Sequence, residues 1–188
     1  MTGMTKGEAI AHASGQLGSD GVAVSALGYA SWWLFTAGDR DLNLYLKGSM
    51  GLATSVGFGL ALAHPGRDVV VFEGDGSLLM NLGGLTTIGA YGPSNLTIIA
   101  LDDRAYETTG RQSTHTGRGA DLLGLAAASG IEASSRAETP EQLAEYMRMN
   151  GAGPRFVVVP VTQGSGTPKR YPGSPHQNLL RLRWALSG

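Results

Sequence analysis

Hydrophobic residues fall into short, dense runs separated by longer segments of mixed character. Val22-Ala23-Val24-Ser25-Ala26-Leu27, Val69-Val70-Val71-Phe72, Leu96-Thr97-Ile98-Ile99-Ala100-Leu101 and Arg155 to Val161 are nearly continuous apolar stretches. Their length and β-branched content mark strands buried on both faces. A briefer strand is expected at Leu42 to Leu46. Between them lie helical patterns: Thr5 to Leu17, Tyr29 to Phe35, Met50 to His64, a segment with Leu78, Leu82, Leu85 and Ile88 on one side, and Ala120 to Ser129. Pro65-Gly66 and Gly92-Pro93 stop two of these, as Pro and Gly beyond a helix end do. Thr139-Pro140 and Ser174-Pro175 each read as an N-cap followed by proline at the first helical position.

Short buried strands alternating with helices predict an α/β fold. The expected architecture is three-layer α/β/α, with a mainly parallel central sheet covered on both faces. Ligands of such sheets bind beyond the carboxyl ends of the strands. The 188 residues suit a single domain, 1–188. Residues 163–174, rich in Gly, Pro and Ser, are expected to be either a mobile loop or a plain connector.

The net charge of −1 argues against general affinity for nucleic acid or an anionic membrane surface. No apolar run reaches the length of a membrane span, and Met1 to Gly21 lacks the pattern of a secretory signal. A cytoplasmic protein is expected. With no cysteine, thiolate metal sites and cysteine nucleophiles are excluded. Glycine is the outlier at 29 residues, about twice the usual share. The glycines gather between Gly48 and Gly92, which points to backbone lying close to a ligand.

The strongest chemical signal lies in that region. Gly74-Asp75-Gly76-Ser77 follows a strand and opens a helix, and Asp102-Asp103 ends the next strand about 27 residues later. An isolated Gly-Asp-Gly is usually only a turn. Here two acidic strand ends converge on one edge of the sheet. Asp75 and Asp103 can hold Mg2+ through carboxylate oxygens, with a main-chain carbonyl near Ala105 as a third ligand. Free N–H groups at Gly76 and Ser77, with the helix dipole behind them, suit phosphate.

This arrangement resembles the diphosphate-binding domain of thiamine diphosphate (ThDP)-dependent enzymes. More narrowly, it resembles the branch that holds the sulfopyruvate decarboxylase beta subunit and phosphonopyruvate decarboxylase. The resemblance rests on Gly48-Ser49-Met50-Gly51-Leu52-Ala53, Gly57 to Leu62, Gly74 to Gly83 and Ala105 to Gln112. It implies cofactor contacts at Gly74, Asp75, Gly76, Ser77, Asp103, Ala105, Tyr106, Glu107 and Thr108, and at Gly48, Ser49 and Met50. The Gly48 carbonyl would accept from the cofactor's 4′-amino group. Met50 would support the bend between its two rings, although methionine near a helix start is also ordinary core filler. Gly28 and Ser31 would lie at the far end of the diphosphate pocket. Asp103 stands where the family generally has Asn, so an extra negative charge should weaken cofactor binding unless a cation compensates. Asp102 remains the alternative ligand.

The resemblance also implies what the chain lacks. The glutamate that activates the cofactor belongs to a separate pyrimidine-binding domain, and none of the seven glutamates lies in a copy of it. The expected partner is an alpha-type subunit in an α2β2 or larger assembly. The expected reaction is decarboxylation of a 2-oxo acid. A carboligase subunit or a non-catalytic ThDP-binding module are the alternatives. A doubly anionic substrate calls for cations, and Arg111, His115 and Arg118 are candidates, though they read equally well as a solvated loop. His115 is the one candidate proton donor.

Overall fold

The computed structural model describes residues 3–149, 151–164 and 166–187. Six parallel strands form the main sheet: β1 (Val22–Ser25), β2 (Asn43–Tyr45), β3 (Val69–Gly74), β4 (Leu96–Asp102), β7 (Ala133–Arg136) and β8 (Arg155–Pro160). Their order is β2-β1-β3-β4-β8-β7. A two-residue antiparallel hairpin, β5 (Ala105–Tyr106) with β6 (Gln112–Ser113), stands apart from it. The helices are α1 (Lys6–Gln16), α2 (Tyr29–Ala37), α3 (Ala53–Ala63), α4 (Asp75–Leu79), α5 (Gly83–Tyr91), α6 (Leu122–Ala128), α7 (Pro140–Arg148) and α8 (Pro175–Ser187).

The sheet grows in both directions from β1. Right-handed crossovers in opposite directions put their helices on opposite faces. Thus α1, α2 and α7 pack together on one side, while α3 lies across β1, β3 and β4 on the other, beside α5. The expected three-layer α/β/α architecture is the observed one. Strands β1, β3 and β4 are buried along almost their whole length, as apolar runs without alternation require.

Local signals mark several ends correctly. Thr5 and Glu8 form a capping box at α1, and Thr139 accepts from the Gln142 N–H at α7 with Pro140 as first helical residue. Three features differ from expectation. The segment from Leu78 to Ile88 is not one helix: the chain turns at Met80 to Leu82, leaving α4 only five residues long. The polar loop after β4 contains the β5–β6 hairpin. The edge strand β7 has no apolar run to announce it, because its residues Ala133 to Arg136 lie on a half-exposed edge. The described part of 163–174 runs over α2, where the Lys169 N–H donates to Thr36 Oγ1 at 2.7 Å; Ser165 lies outside the described residues.

Helix α3 reaches the sheet through Gly57. A Cβ there would run into the Val71 side chain of β3, whereas one at Gly59 would meet nothing within 4 Å. Gly57→Ala should therefore destabilise by about 1–3 kcal/mol through overpacking. Gly59→Ala should be neutral or stabilise by up to about 1 kcal/mol through helix propensity. Urea midpoints of the two variants test this, and the reverse ranking would reject the close approach of α3 to β3.

Candidate functional site

The strand order reverses between β1 and β3, and a crevice opens at the carboxyl ends of the strands beside that point. Register decides which residues meet there. Ser25 of β1 pairs with Phe72, and Gly74 of β3 pairs with Leu101 of β4. Asp75 therefore leaves the sheet beside Asp102. The resulting cavity of about 130 Å³ is lined by Gly74 to Ser77, by Asp103 and Ala105 to Thr109, by the loop after β1, by Met50, and by Lys6 of α1.

Asp75 is only 2% exposed. Its Oδ2 accepts from Thr114 Oγ1 and lies 2.9 Å from Thr116 Oγ1, which is also 2.8 Å from Asp102 Oδ1. Thr116 has one hydroxyl proton and cannot donate to both carboxylates. The cluster is therefore one hydrogen-bond proton short. Burial pushes the Asp75 carboxyl up to about 6, and the charges of Asp103 and Asp102 add to this against the two threonine hydroxyls. Either a shared proton or a cation satisfies such a group. The donors are hard oxygens, which suit Mg2+. Among the described residues no group of three or more His, Cys, Asp or Glu is placed to hold a metal by itself. Further ligands would have to be carbonyl, water or phosphate oxygens.

A second cluster surrounds Asp103. Lys6 Nζ lies 3.3 Å from its Oδ2 and 2.6 Å from Glu107 Oε2, and all three side chains are largely buried. Arg111 Nη1 stands 4.0 Å from the same Asp103 oxygen at the exposed edge. Sequence reasoning missed Lys6, because a lysine in the first helix carries no local sign of a partner about a hundred residues away. It also missed Thr114 and Thr116, which sit in a polar loop where hydroxyls are common.

The Gly48–Gly51 turn is tied to the Gly-Asp-Gly segment. The Gly51 N–H donates to Ser77 Oγ at 2.9 Å, and Asn81 Nδ2 donates to the Gly51 carbonyl at 3.0 Å and to Ser55 Oγ at 3.1 Å. This brings Met50 to the cavity wall, while Gly48 and Ser49 are exposed and line neither this cavity nor the neighbouring one. Gly76 lies against Tyr106, where any Cβ would collide with the ring. Behind the motif Glu73 is completely buried, with no donor in hydrogen-bonding geometry at either oxygen. Burial pushes its carboxyl up to about 7, outweighing the nearby Ser77 hydroxyl and the main-chain N–H groups of Gly74, Thr54 and Ala53.

Among the described residues, the non-glycine positions with left-handed backbone are Ser49, Arg104 and Arg111. All three lie on loops around this crevice, and strain of that kind concentrates where a loop must hold a set shape. The helix dipole anticipated behind Gly76 is weak, since α4 spans a single turn, so individual N–H groups are what remains for phosphate. Gly28 and Ser31 line an adjoining cavity rather than this one. His115 and Arg118 are exposed and line neither.

Comparison with known proteins matches residues 26–161 to the thiamine pyrophosphate enzyme C-terminal TPP binding domain. The chain is 43% identical over 130 residues to sulfopyruvate decarboxylase subunit beta of Methanocaldococcus jannaschii, covering 69% of this chain and 66% of that one. It is 40% identical over 163 residues to phosphonopyruvate decarboxylase of Streptomyces viridochromogenes, covering 84% of this chain and 41% of that enzyme. A solved structure from Mycobacterium smegmatis, described as a thiamin diphosphate-dependent enzyme, shares the fold with a TM-score of 0.70 at 21% identity, covering 84% of this chain and 32% of that one. A crevice built from Gly74–Ser77 and the ends of β3 and β4 thus coincides with a match over most of the sheet, and the chain belongs to the thiamine pyrophosphate enzymes through their C-terminal TPP-binding domain.

Proposed function

We propose that the chain is the beta-type half of a two-component decarboxylase acting on a 2-oxo acid with a second acidic group, of the sulfopyruvate or phosphonopyruvate kind. The observation that carries this is one small cavity gathering Met50, Gly74–Ser77, Asp103 and Ala105. At about 130 Å³ it falls below the ~300–1,000 Å³ of complete small-molecule sites, as half of a shared site should. The relative from M. jannaschii bears the name of a beta subunit, which supports an alpha-type partner. The glutamates support it too. Five of the seven are exposed on the surface, Glu107 is held by Lys6, and Glu73 is enclosed behind the motif. Only Glu107 lines the crevice, and it is paired with Lys6, so the activating acid is assigned to the partner.

In this reading Asp75 and Asp103, with the Ala105 carbonyl, would hold Mg2+, and the N–H groups of Gly76 and Ser77 would donate to the diphosphate. The oxygen donor set and the missing proton between Asp75 and Asp102 fit such a group. Met50, in a turn fixed by the Ser77 and Asn81 hydrogen bonds, would pack against the cofactor. Bound ThDP supplies the electron sink for loss of CO2. Tyr106 and the loop after β1 line the crevice. Lys6 offsets the charge that Asp103 adds where the family has Asn.

Three outcomes are expected. Coexpressed with its alpha-type partner and supplied with ThDP and Mg2+, the chain should release CO2 from sulfopyruvate or phosphonopyruvate. The chain alone should bind ThDP weakly and turn nothing over, and Asp75→Asn should abolish Mg2+-dependent ThDP binding by the complex. A stable ThDP-loaded complex inactive on every 2-oxo acid would sink the decarboxylase reading. Separately, Lys6→Met should destabilise the chain on the order of 3 kcal/mol, because it leaves Glu107 unpaired and Asp103 with only the more distant Arg111, both carboxylates being largely buried. Adding Asp103→Asn and Glu107→Gln should restore much of that loss in chemical denaturation. Equal stability of Lys6→Met and the parent would show that the ion pairs carry no weight.

A further inference from the structure

Beside the cofactor crevice lies a second cavity of about 320 Å³, which shares Leu27 and Thr108 with it. Ser31 and Trp32 of α2, Lys47, Arg170 and Tyr171 form much of its wall. The lining contains two cations and no carboxylate. Among the described residues neither Lys47 nor Arg170 has an ion-pair partner. The acids near this wall in sequence have other partners: Glu107 and Asp103 pair with Lys6 at 2.6 and 3.3 Å, and Asp39 and Asp41 with Arg181 at 2.7 and 3.8 Å.

Both cations are held in place without being neutralised. The Arg170 guanidinium lies 4.2 Å from the centre of the Trp32 ring. The Lys47 ammonium lies 5.5 Å from the centre of the Tyr171 ring and donates to the Gly173 carbonyl. Aromatic faces orient a cation yet leave its N–H groups open to an anion. Ser31, 2% exposed, has no hydrogen-bond partner for its hydroxyl among the described residues and adds a neutral donor to the wall. A preset Arg, a Lys and a hydroxyl around one cavity suit a tetrahedral oxyanion.

We propose that this cavity binds the second acidic group of the substrate, a sulfonate or phosphonate on the carbon next to the ketone, with Arg170 and Lys47 as the specificity-determining residues. The assignment rests on the decarboxylase reading above. The cavity lies between the loop after β1, at Leu27 and Gly28, and the end of β2, where Leu46 and Lys47 lead into Gly48. It lies on the β1–β2 side of the crevice. Arg111, at the opposite edge, remains 4.0 Å from Asp103.

The test uses the complex with its alpha-type partner, loaded with ThDP and Mg2+. Arg170→Ala and Lys47→Met should each lower kcat/KM for sulfopyruvate and phosphonopyruvate by about 10- to 100-fold, mainly through KM. Turnover of pyruvate, which lacks the second anion, and the affinity for ThDP should change little. Arg170→Lys should recover part of the loss. Whichever of the two doubly anionic acids suffers more names the natural group. Calorimetry with 3-sulfolactate, an unreactive sulfonate, supplies a readout independent of turnover, and both variants should lose that binding. Binding of 3-sulfolactate without decarboxylation of any acid would retain the subsite and reject the reaction. Decarboxylation of sulfopyruvate with both variants within twofold of the parent would reject the subsite and retain the reaction. An equal loss for pyruvate would overturn the specificity role. Failure of both variants to bind the alpha-type partner in size exclusion would instead make these cations a docking contact.

Discussion

Three carboxylates at the ends of two neighbouring parallel strands impose the main electrostatic demand on this fold. Asp75, Asp102 and Asp103 leave β3 and β4 side by side, because the register pairs Gly74 with Leu101. Burial and the neighbouring charges of Asp103 and Asp102 raise the proton affinity of Asp75. The surrounding structure answers in several ways. Thr114 and Thr116 place hydroxyls among the acids, Lys6 is brought from α1 to Asp103, and the elevated Asp75 carboxyl keeps a place for a proton or metal. The loops of the crevice adopt left-handed backbone at Ser49, Arg104 and Arg111 within the same arrangement.

The second constraint is mechanical. The turn carrying Met50 precedes α3, and that turn is pinned to the Gly-Asp-Gly segment by Ser77 and Asn81. Helix α3 is in turn pressed onto β3 at Gly57. The two motifs of the crevice are therefore joined directly by hydrogen bonds and through α3 by packing. Glu73, buried between these parts without a well-placed donor, has its carboxyl pushed up to about 7 by that burial.

Much of this was legible in the residues. The apolar runs at Val22, Val69, Leu96 and Arg155 mark the four central strands, because full burial on both faces leaves no polar alternation. Thr139-Pro140 marks the start of α7 through chemistry confined to adjacent residues. The edge strand β7 escaped notice because Ala133 to Arg136 need no apolar face. The break in the α4–α5 segment escaped because Leu78, Leu82, Leu85 and Ile88 keep helical spacing across a turn. At the site, Asp75 and Asp103 were legible from spacing along neighbouring strands. Lys6, Thr114 and Arg170 were not, since each matters only through residues remote in the chain.

Local chemistry, written in consecutive residues, determined the strands, the caps, the Gly-Asp-Gly turn and the oxygen-rich character of the crevice. Hydrogen-bonding preference, glycine freedom and burial act over a few positions, so a linear reading can find them. Tertiary structure alone decided which cation meets Asp103, how the Met50 turn is held, and that Lys47 and Arg170 border a common cavity without a carboxylate between them. Those outcomes depend on strand order, register and crossover direction. They bring together residues separated by tens to more than a hundred positions, and no local pattern encodes that meeting.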